Sequence, residues 1–143
     1  SSSGQYGYYM RNLVINPGST STKIAIFDNE KCTHKQTIRH SEKKLKTYYD
    51  IIAQLDFRKK VVKQFLKDEN IELQDIDGFI GRGGLMKPVK SGIYQVNDQM
   101  VKDLSNAKYG EHASNLGGLI AKDLADEVNK EAFIKKLKDS LES

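Results

Sequence analysis

Short apolar runs alternate with polar turns over the first part of the chain. Residues 13–15 (LVI) and 23–27 (KIAIF) have the pattern of buried strands, and residues 32–39 (CTHKQTIR) alternate enough to predict a third strand. The NPG sequence at 16–18 predicts a turn, because proline fixes φ and glycine tolerates a positive φ. A second turn is predicted at 28–30 (DNE). Three short strands joined by tight turns indicate an antiparallel meander.

Helical periodicity follows the meander. Apolar side chains at spacings of three and four, with lysines on the opposite face, predict a helix that contains Phe57, Val61, Val62, Phe65 and Leu66. Residues 48–55 are predicted to form an adjoining helical segment. Asn97 is a candidate N-cap for a helix over residues 98–104, and a last helix is predicted from about residue 114 to residue 128.

Two further short strands are predicted at residues 78–81 (GFIG) and 92–96 (GIYQV). The helix between the third strand and these later strands can supply the crossover that parallel pairing requires. The order of elements therefore predicts an α/β domain with a mixed five-stranded sheet flanked by helices. Fold class by itself says nothing about function.

Composition narrows the class of protein. The 143 residues carry 23 Lys and Arg against 19 Asp and Glu, a net charge of +4. Because these cations are interleaved with acids, they indicate a solvated surface rather than a nucleic-acid patch. The longest apolar runs are only a few residues, so the sequence predicts no transmembrane segment and no secretory signal. A lone Cys32 argues against a disulfide framework or a thiolate zinc site, and it suits a reducing cytoplasm.

The segment 15–23 (INPGSTSTK) carries the candidate chemistry. Successive backbone N–H groups in a Gly/Ser/Thr turn between two strands form a concave anion site, to which Lys23 adds positive charge. Asn16 offers an amide group at the strand end, which could meet a phosphate or a metal-bound water. The segment is not a Walker loop, since G-x-x-x-x-G-K-[ST] is absent. By composition alone, a polar β-hairpin without any ligand is the open alternative.

The loop resembles the first phosphate loop of the acetate and butyrate kinases, which belong to the actin-like ATPase and sugar kinase superfamily. Four later segments narrow the resemblance: IRHS at 38–41, FRK at 57–59, GRGGLMKP at 81–88 and GEHASNLG at 110–117. In this order and spacing they are similar to butyrate kinases, including kinases of branched-chain carboxylates. The resemblance covers residues 10–134 and implies a ribonuclease-H-like domain, the first of the two domains of that family.

The resemblance implies a reaction. In that family a phosphoryl group passes reversibly from ATP to a short-chain fatty acid, butyrate or a branched-chain acid, and gives acyl phosphate and ADP with Mg²⁺ present. Such chemistry needs positioning and charge neutralisation more than covalent help. The resemblance also implies a cytoplasmic enzyme with no nucleic-acid or membrane partner, and a homo-oligomer, at least a dimer, for the full-length family.

Site residues follow from the same resemblance. The residues implied to hold the nucleotide phosphates are Asn16, Gly18, Ser19, Thr20, Ser21 and Lys23, and Asn16 also serves the metal, directly or through water. Arg82 is implied to bind both the carboxylate and the transferring group as a catalytic residue, and its planar fork suits a carboxylate as lysine would not. His112 is implied to donate to the phosphoryl group in the transition state. The substrate-binding set is completed by Gly83, Gly84 and Asn115.

The remaining candidates receive no ligand role. We interpret His34 and His40 as ordinary surface residues, and Cys32 has no partner within sequence reach. The adjacent Gly117 and Gly118 are predicted to let the last helix approach the sheet closely.

Both ends of the chain depart from the family pattern. Residues 1–9 (SSSGQYGYY) lack periodicity and are interpreted as a cloning remnant or a disordered arm before a natural start at Met10. Residues 135–143 form a divergent amphipathic tail where the family continues toward a catalytic Asp and a second, adenosine-binding domain. Because the nucleotide lies between two domains in that family, we expect little or no kinase activity from this chain by itself.

Two other interpretations stay open on the sequence alone. One is another actin-like sugar kinase or ATPase domain with a similar loop. The other is a non-catalytic, folded half-domain that acts in assembly.

Overall fold

The computed structural model describes residues 9–84 and 90–136. The LMKP part of the motif at 81–88 lies outside the described residues. The same holds for residues 1–8 of the interpreted arm and residues 137–143 of the predicted tail.

Six strands form one mixed sheet over the described residues. Their bounds are β1 Arg11–Pro17, β2 Ser21–Asp28, β3 Lys31–Arg39, β4 Gly78–Arg82, β5 Gly92–Gln95 and β6 Ala132–Lys136, in the spatial order β3-β2-β1-β4-β6-β5. The predicted meander β1–β2–β3 is confirmed as antiparallel. Strand β4 runs parallel to both β1 and β6, and β5 pairs antiparallel with β6 at the edge.

The sheet was predicted to have five strands, and the described residues form six. Strand β6 enters the sheet between β4 and β5, where Ile80 lies opposite Phe133 and Gly81 lies opposite Ile134. The sequence there, AFIKK, is a short apolar run followed by lysines, which does not have the period of a half-buried strand. Pairing on both sides makes it a strand, because a neighbour on each edge satisfies its backbone N–H and C=O groups.

Within residues 9–84 and 90–136, four α-helices accompany the sheet. They are α1 Glu42–Leu45, α2 Leu55–Asp68, α3 Asp98–Ser105 and α4 Asn115–Glu127. The predicted N-cap of α3 is confirmed, since the Asn97 side chain accepts a hydrogen bond from the Met100 backbone N–H at 2.8 Å. The helical segment predicted over 48–55 is largely wrong, since within that range only the 3₁₀ turn Ile52–Gln54 and Leu55, the first residue of α2, are helical. Ser41 caps α1, which was not predicted.

The core lies between one face of the sheet and the helices α2 and α4. Leu13, Ile15, Ile24 and Ile26 project from this face and are essentially inaccessible to solvent. Because side chains alternate along a strand, their neighbours point to the opposite face. That open face carries Val14, Asn16, Lys23, Ala25 and Phe27, which are half-buried or exposed.

A charged pair closes the end of the β1–β2 hairpin that lies away from the loop. The Arg11 guanidinium donates to both carboxylate oxygens of Asp28, Nε to Oδ1 at 2.7 Å and Nη2 to Oδ2 at 2.9 Å. This hydrogen-bonded pair holds the pKa of Asp28 below its usual value. Strands β1 and β2 are therefore held in register from Arg11 opposite Asp28 to Pro17 opposite Thr22.

Helix α4 touches the sheet backbone to backbone. A Cβ built on Gly81 of β4 would lie 2.2 Å from the carbonyl carbon of Gly117, and one built on Gly117 would lie 3.2 Å from Arg82 O and from Pro17 Cδ. A Cβ on Gly118 would meet Ile134 Cδ1 at 2.7 Å. The predicted close approach at Gly117 and Gly118 is confirmed, and it places the first turn of α4 against the ends of β1 and β4.

The close approach predicts the effect of a methyl group at Gly81. Gly81→Ala should lower the free energy of unfolding by about 3 kcal/mol, because backbone atoms rather than a flexible side chain occupy the space. Gly18→Ala is the control, since its Cβ would meet Ser21 at an ordinary 3.5 Å, and we expect a change within about 0.5 kcal/mol. Urea denaturation of both variants measures the difference, and equal stabilities would contradict the packing.

Candidate functional site

The Gly/Ser/Thr loop is a tight hairpin turn at the end of β1. Its backbone is closed by a hydrogen bond from the Gly18 N–H to the Ser21 carbonyl oxygen at 2.7 Å. Ser19 and Thr20 are exposed at the tip, whereas Ser21 is buried. Because β1 extends through Pro17, the turn lies at 18–20 rather than at the predicted 16–18, and Gly18 does not use the positive φ that glycine tolerates.

A cleft on the open face of the sheet brings three predicted site residues together. Asn16, Lys23 and Arg82 line this cleft of about 200 Å³, whose remaining lining includes the apolar side chains of Val14 and Phe27. Register explains the meeting: Asn16 lies opposite Lys23, and Ile15 beside them pairs with Gly81, which precedes Arg82. A larger groove of about 430 Å³ beside α2 is lined by none of the predicted site residues.

Arg82 has a donor without a partner. Within residues 9–84 and 90–136, its Nε atom is buried and makes no hydrogen bond. A buried donor in this state costs free energy unless a ligand or water accepts from it. Gly83 and Gly84 follow with φ of 83° and 109°, a backbone conformation that other residues rarely adopt, so they turn the chain immediately after the arginine.

His112 lies in the turn that precedes α4. The Ser114 N–H donates to His112 Nδ1 at 3.0 Å, and the Ser114 hydroxyl contacts the same nitrogen at 2.8 Å. An Nδ1 that accepts from a backbone N–H carries no proton, so the proton of the neutral ring is assigned to Nε2. A Cβ on Gly83 would lie 3.1 Å from Ser114 Cβ, so this turn packs against the residue that follows Arg82.

Asn115 is buried beneath the same turn. Its side-chain amide donates to the Gly110 carbonyl oxygen at 2.9 Å. This bond holds together the two ends of the turn that carries His112. The predicted contact of Asn115 with substrate stays a prediction.

A buried polar cluster lies under the Gly/Ser/Thr loop, and sequence reasoning missed it. Thr22, His40 and Arg58 are buried side by side, although His40 was expected at the surface and Arg58 received no role. Thr22 Oγ1 contacts His40 Nε2 at 2.8 Å, and Arg58 Nη1 donates to Thr22 Oγ1 at 3.3 Å. The sequence contained one indication of this cluster: alternation along β2 puts Thr22 on the same, core-facing side as Ile24 and Ile26.

His40 is held in the neutral form in this cluster. It packs edge-on against Phe57 with ring centroids 4.9 Å apart, and its backbone N–H donates to the Thr20 carbonyl oxygen at 2.9 Å. Burial lowers the pKa of His40, and the nearby positive charge of Arg58 lowers it further. Because Thr22 Oγ1 accepts from Arg58, its hydroxyl proton is available for His40 Nε2.

The lowered pKa of His40 predicts a loss of stability on mild acidification. The unfolded chain takes up the imidazole proton near the ordinary pKa of 6.5, while the folded chain resists it. The free energy of unfolding should therefore decrease as the pH falls from about 7.5 to about 5.5. Urea denaturation across this range measures the slope.

Two matched variants identify the group responsible. His40→Gln should flatten the decrease, because it removes the titrating ring. His34→Gln removes a half-buried histidine outside this cluster, 3.6 Å from Glu69 Oε1, and the decrease should persist in this variant. If the free energy of unfolding of His40→Gln still decreases with falling pH as in the wild type, another group is responsible.

Comparison with solved structures gives the class of fold. The chain is similar to an acetate kinase from Entamoeba histolytica, with a TM-score of 0.51 at 14% identity over 88% of this chain and 34% of that one. It is equally similar to an exopolyphosphatase from Cytophaga hutchinsonii, with a TM-score of 0.51 at 10% identity over 90% of this chain and 54% of that one. The predicted ribonuclease-H-like fold is confirmed. No model of a protein family matches the chain.

Comparison with curated sequences confirms the narrower resemblance to butyrate kinases. The chain is 52% identical over 122 residues to Butyrate kinase 2 of Clostridium acetobutylicum, a match that covers 85% of this chain. It spans about a third of the length of the curated relatives that it matches. Among the described residues, none of the helices combines the length and the apolar composition that a membrane span requires.

Proposed function

We propose that this chain forms the phosphate- and carboxylate-binding part of a carboxylate kinase of the butyrate type. The reaction is reversible phosphoryl transfer between ATP and a short-chain carboxylate, with acyl phosphate and ADP as products. The observation that carries the proposal is the cleft in which Asn16, Lys23 and the partly unpaired Arg82 meet. Sequence identity of 52% to a butyrate kinase supports the choice of acceptor.

Arg82 binds the carboxylate of the substrate. Its guanidinium can donate two parallel hydrogen bonds to a planar carboxylate, and the buried Nε–H is available as one of the two donors. A short-chain carboxylate is ionised at neutral pH, so it needs no general base before it attacks. A carboxylate oxygen forms the new bond to the γ-phosphorus, the bond between that phosphorus and the ADP oxygen breaks, and ADP leaves with the electron pair.

The phosphate loop and Lys23 hold the phosphates of the nucleotide. Their backbone N–H groups and ammonium charge offset the negative charge on the phosphoryl oxygens. Among the described residues, no three His, Cys, Asp or Glu side chains cluster as a metal site. Mg²⁺, when bound, would neutralise phosphate charge, and its ligands would be phosphate oxygens and waters with Asn16 as a neighbour, which is the usual arrangement for this ion.

His112 donates a hydrogen bond to the transferring phosphoryl group. Its ring is held by Ser114 through Nδ1, so the Nε2–H is the donor that remains for a ligand. A neutral donor fixed by a second residue costs little reorganisation when charge develops on the phosphoryl oxygens. We place the protein in the cytoplasm, and we propose that the full-length enzyme assembles as a homo-oligomer.

A different phosphoryl acceptor is the alternative within this fold. The exopolyphosphatase from Cytophaga hutchinsonii has a similar fold, so the fold does not select the substrate. Arg82 favours a carboxylate, because a sugar hydroxyl offers no paired oxygens for the guanidinium fork. A carboxylate acceptor should therefore bind to the Arg82 guanidinium, whereas a sugar acceptor should not.

Binding of a carboxylate should appear at the Arg82 side chain. Titration of the ¹⁵N-labelled chain with sodium butyrate should shift the Arg82 Nε–H resonance, because this donor has no partner within the described residues. Arg11 is the internal control: its Nε–H is already bound to Asp28 Oδ1 at 2.7 Å and should stay in place. Two-dimensional ¹H–¹⁵N spectra measure both signals.

The variant Arg82→Lys assigns the Arg82 Nε–H resonance, because the variant lacks it, and it tests the paired hydrogen bonds from the guanidinium to the carboxylate. It should weaken butyrate binding about tenfold, because a lysine cannot form the bidentate pair. Titration with D-glucose should leave the Arg82 resonance unchanged. A response to glucose without a response to butyrate would contradict the proposal and favour a sugar kinase.

A further inference from the structure

Arg58 lies fully buried in the first turns of α2, directly under the phosphate loop, with no exposed surface. Its five N–H donors all have acceptors. The acceptors are Gln54 Oε1 for Nε at 3.0 Å and for Nη2 at 2.9 Å, Ser21 O for Nη1 at 2.8 Å, Thr22 Oγ1 for Nη1 at 3.3 Å and Ser19 O for Nη2 at 3.5 Å. The five bonds reach four acceptor atoms, three of which belong to the loop or to the start of β2.

The charge of Arg58 has no anionic partner. None of the ion pairs formed within residues 9–84 and 90–136 includes it, and the acceptors around it are neutral carbonyl, amide and hydroxyl oxygens. Burial alone lowers its pKa, with no opposing contribution from a carboxylate. Buried cations are ordinarily paired, because desolvation of a lone charge is expensive. A neutral side chain could donate hydrogen bonds to the loop without the free-energy cost of desolvating a charge.

The direction of the hydrogen bonds orients the loop. In a planar trans peptide the C=O and the following N–H point in opposite directions, and the described residues contain no cis peptide. The Ser19 carbonyl points inward to Arg58, so the N–H of Thr20 points outward, to the side where Ser19 and Thr20 are exposed. The guanidinium thus holds an oxygen of the loop inward and turns a donor toward an incoming anion.

We propose that Arg58 is a positioning residue of the phosphate loop, which fixes the outward direction of the Thr20 N–H and supplies an unneutralised positive charge beneath a bound phosphate. This inference rests on the proposed function, because it deepens the role of the loop as a phosphate site. Arg58 itself is covered by the loop and touches no ligand. The free energy that desolvation of the Arg58 charge costs is offset when a phosphate binds on the opposite side of the loop.

The variant Gln54→Glu separates charge from structure. The Glu carboxylate keeps an oxygen at the position of Gln54 Oε1, 2.9–3.0 Å from the guanidinium, so the fork stays bonded while its charge is neutralised. Phosphate affinity should fall about fivefold to tenfold at constant ionic strength, whereas the thermal midpoint should be unchanged or higher. A purely structural role for Arg58 predicts no loss of phosphate affinity in this variant.

Two further variants complete the experiment. Arg58→Lys keeps the charge and loses the fork, and it should weaken phosphate binding about tenfold. Gln74→Glu adds the same charge at an exposed position and should bind phosphate as the wild type does. Shifts of the Gly18, Ser19 and Thr20 amide resonances on titration with sodium phosphate give the affinities.

The outcomes separate the inference from the proposed function. Wild-type phosphate affinity in Gln54→Glu, or in a folded Arg58→Lys, overturns the role of Arg58 and leaves the proposed function standing. Absence of any phosphate shift in the wild type overturns the loop as a phosphate site, and with it the inference. The butyrate response of Arg82 is measured on the same samples, so the carboxylate part of the proposed function is judged independently.

Discussion

Close contact between the backbones of α4 and β4 is the constraint on which the rest of the site depends. Because neither Gly81 nor Gly117 has a side chain, the first turn of α4 lies directly on the ends of the central strands. The turn that carries His112 is thereby brought beside Arg82, and Pro17 at the end of β1 touches the same helix. One pair of glycines thus aligns three parts of the chain that are far apart in sequence.

The buried cluster beneath the loop couples the loop to the helical layer. Arg58 and Gln54 belong to α2 and the turn before it, while Thr22 and His40 lie on β2 and just after β3. The loop therefore does not depend on its own short hydrogen bond alone. Hydrogen bonds from Arg58 to Ser21 O and Thr22 Oγ1 support the turn from the side of α2.

Much of the fold was predictable from the sequence, because its signals are local. Tight turns and alternation predicted the meander, and the spacing of Phe57, Val62 and Phe65 predicted α2. The N-cap at Asn97 is likewise local, since its hydrogen bond spans three residues. The resemblance in the motifs added the family and its candidate residues, which periodicity alone could not supply.

What the sequence did not predict depends on long-range contacts. Strand β6 forms because β4 and β5 flank it, and its own residues do not indicate a half-buried strand. His40 looked like a surface residue because its burial comes from Phe57 and Thr22, neither of which is adjacent in sequence. In the part of the chain that the structure describes, Arg58 is buried with no carboxylate beside it, which contradicts the usual expectation for an arginine, so only the structure could show it.

The parallel pairing of β1 with β4 has a consequence for the order of folding. Leu13 meets Phe79 across 66 residues of chain, whereas β1, β2 and β3 are joined by turns of a few residues. Local pairs close at a small entropic cost and distant pairs close slowly, so we expect the meander to acquire amide protection before β4 and β6 in pulse-labelled hydrogen exchange. The Gly/Ser/Thr loop would then form early, and Arg58 would reach its place beneath it only when α2 packs against the sheet.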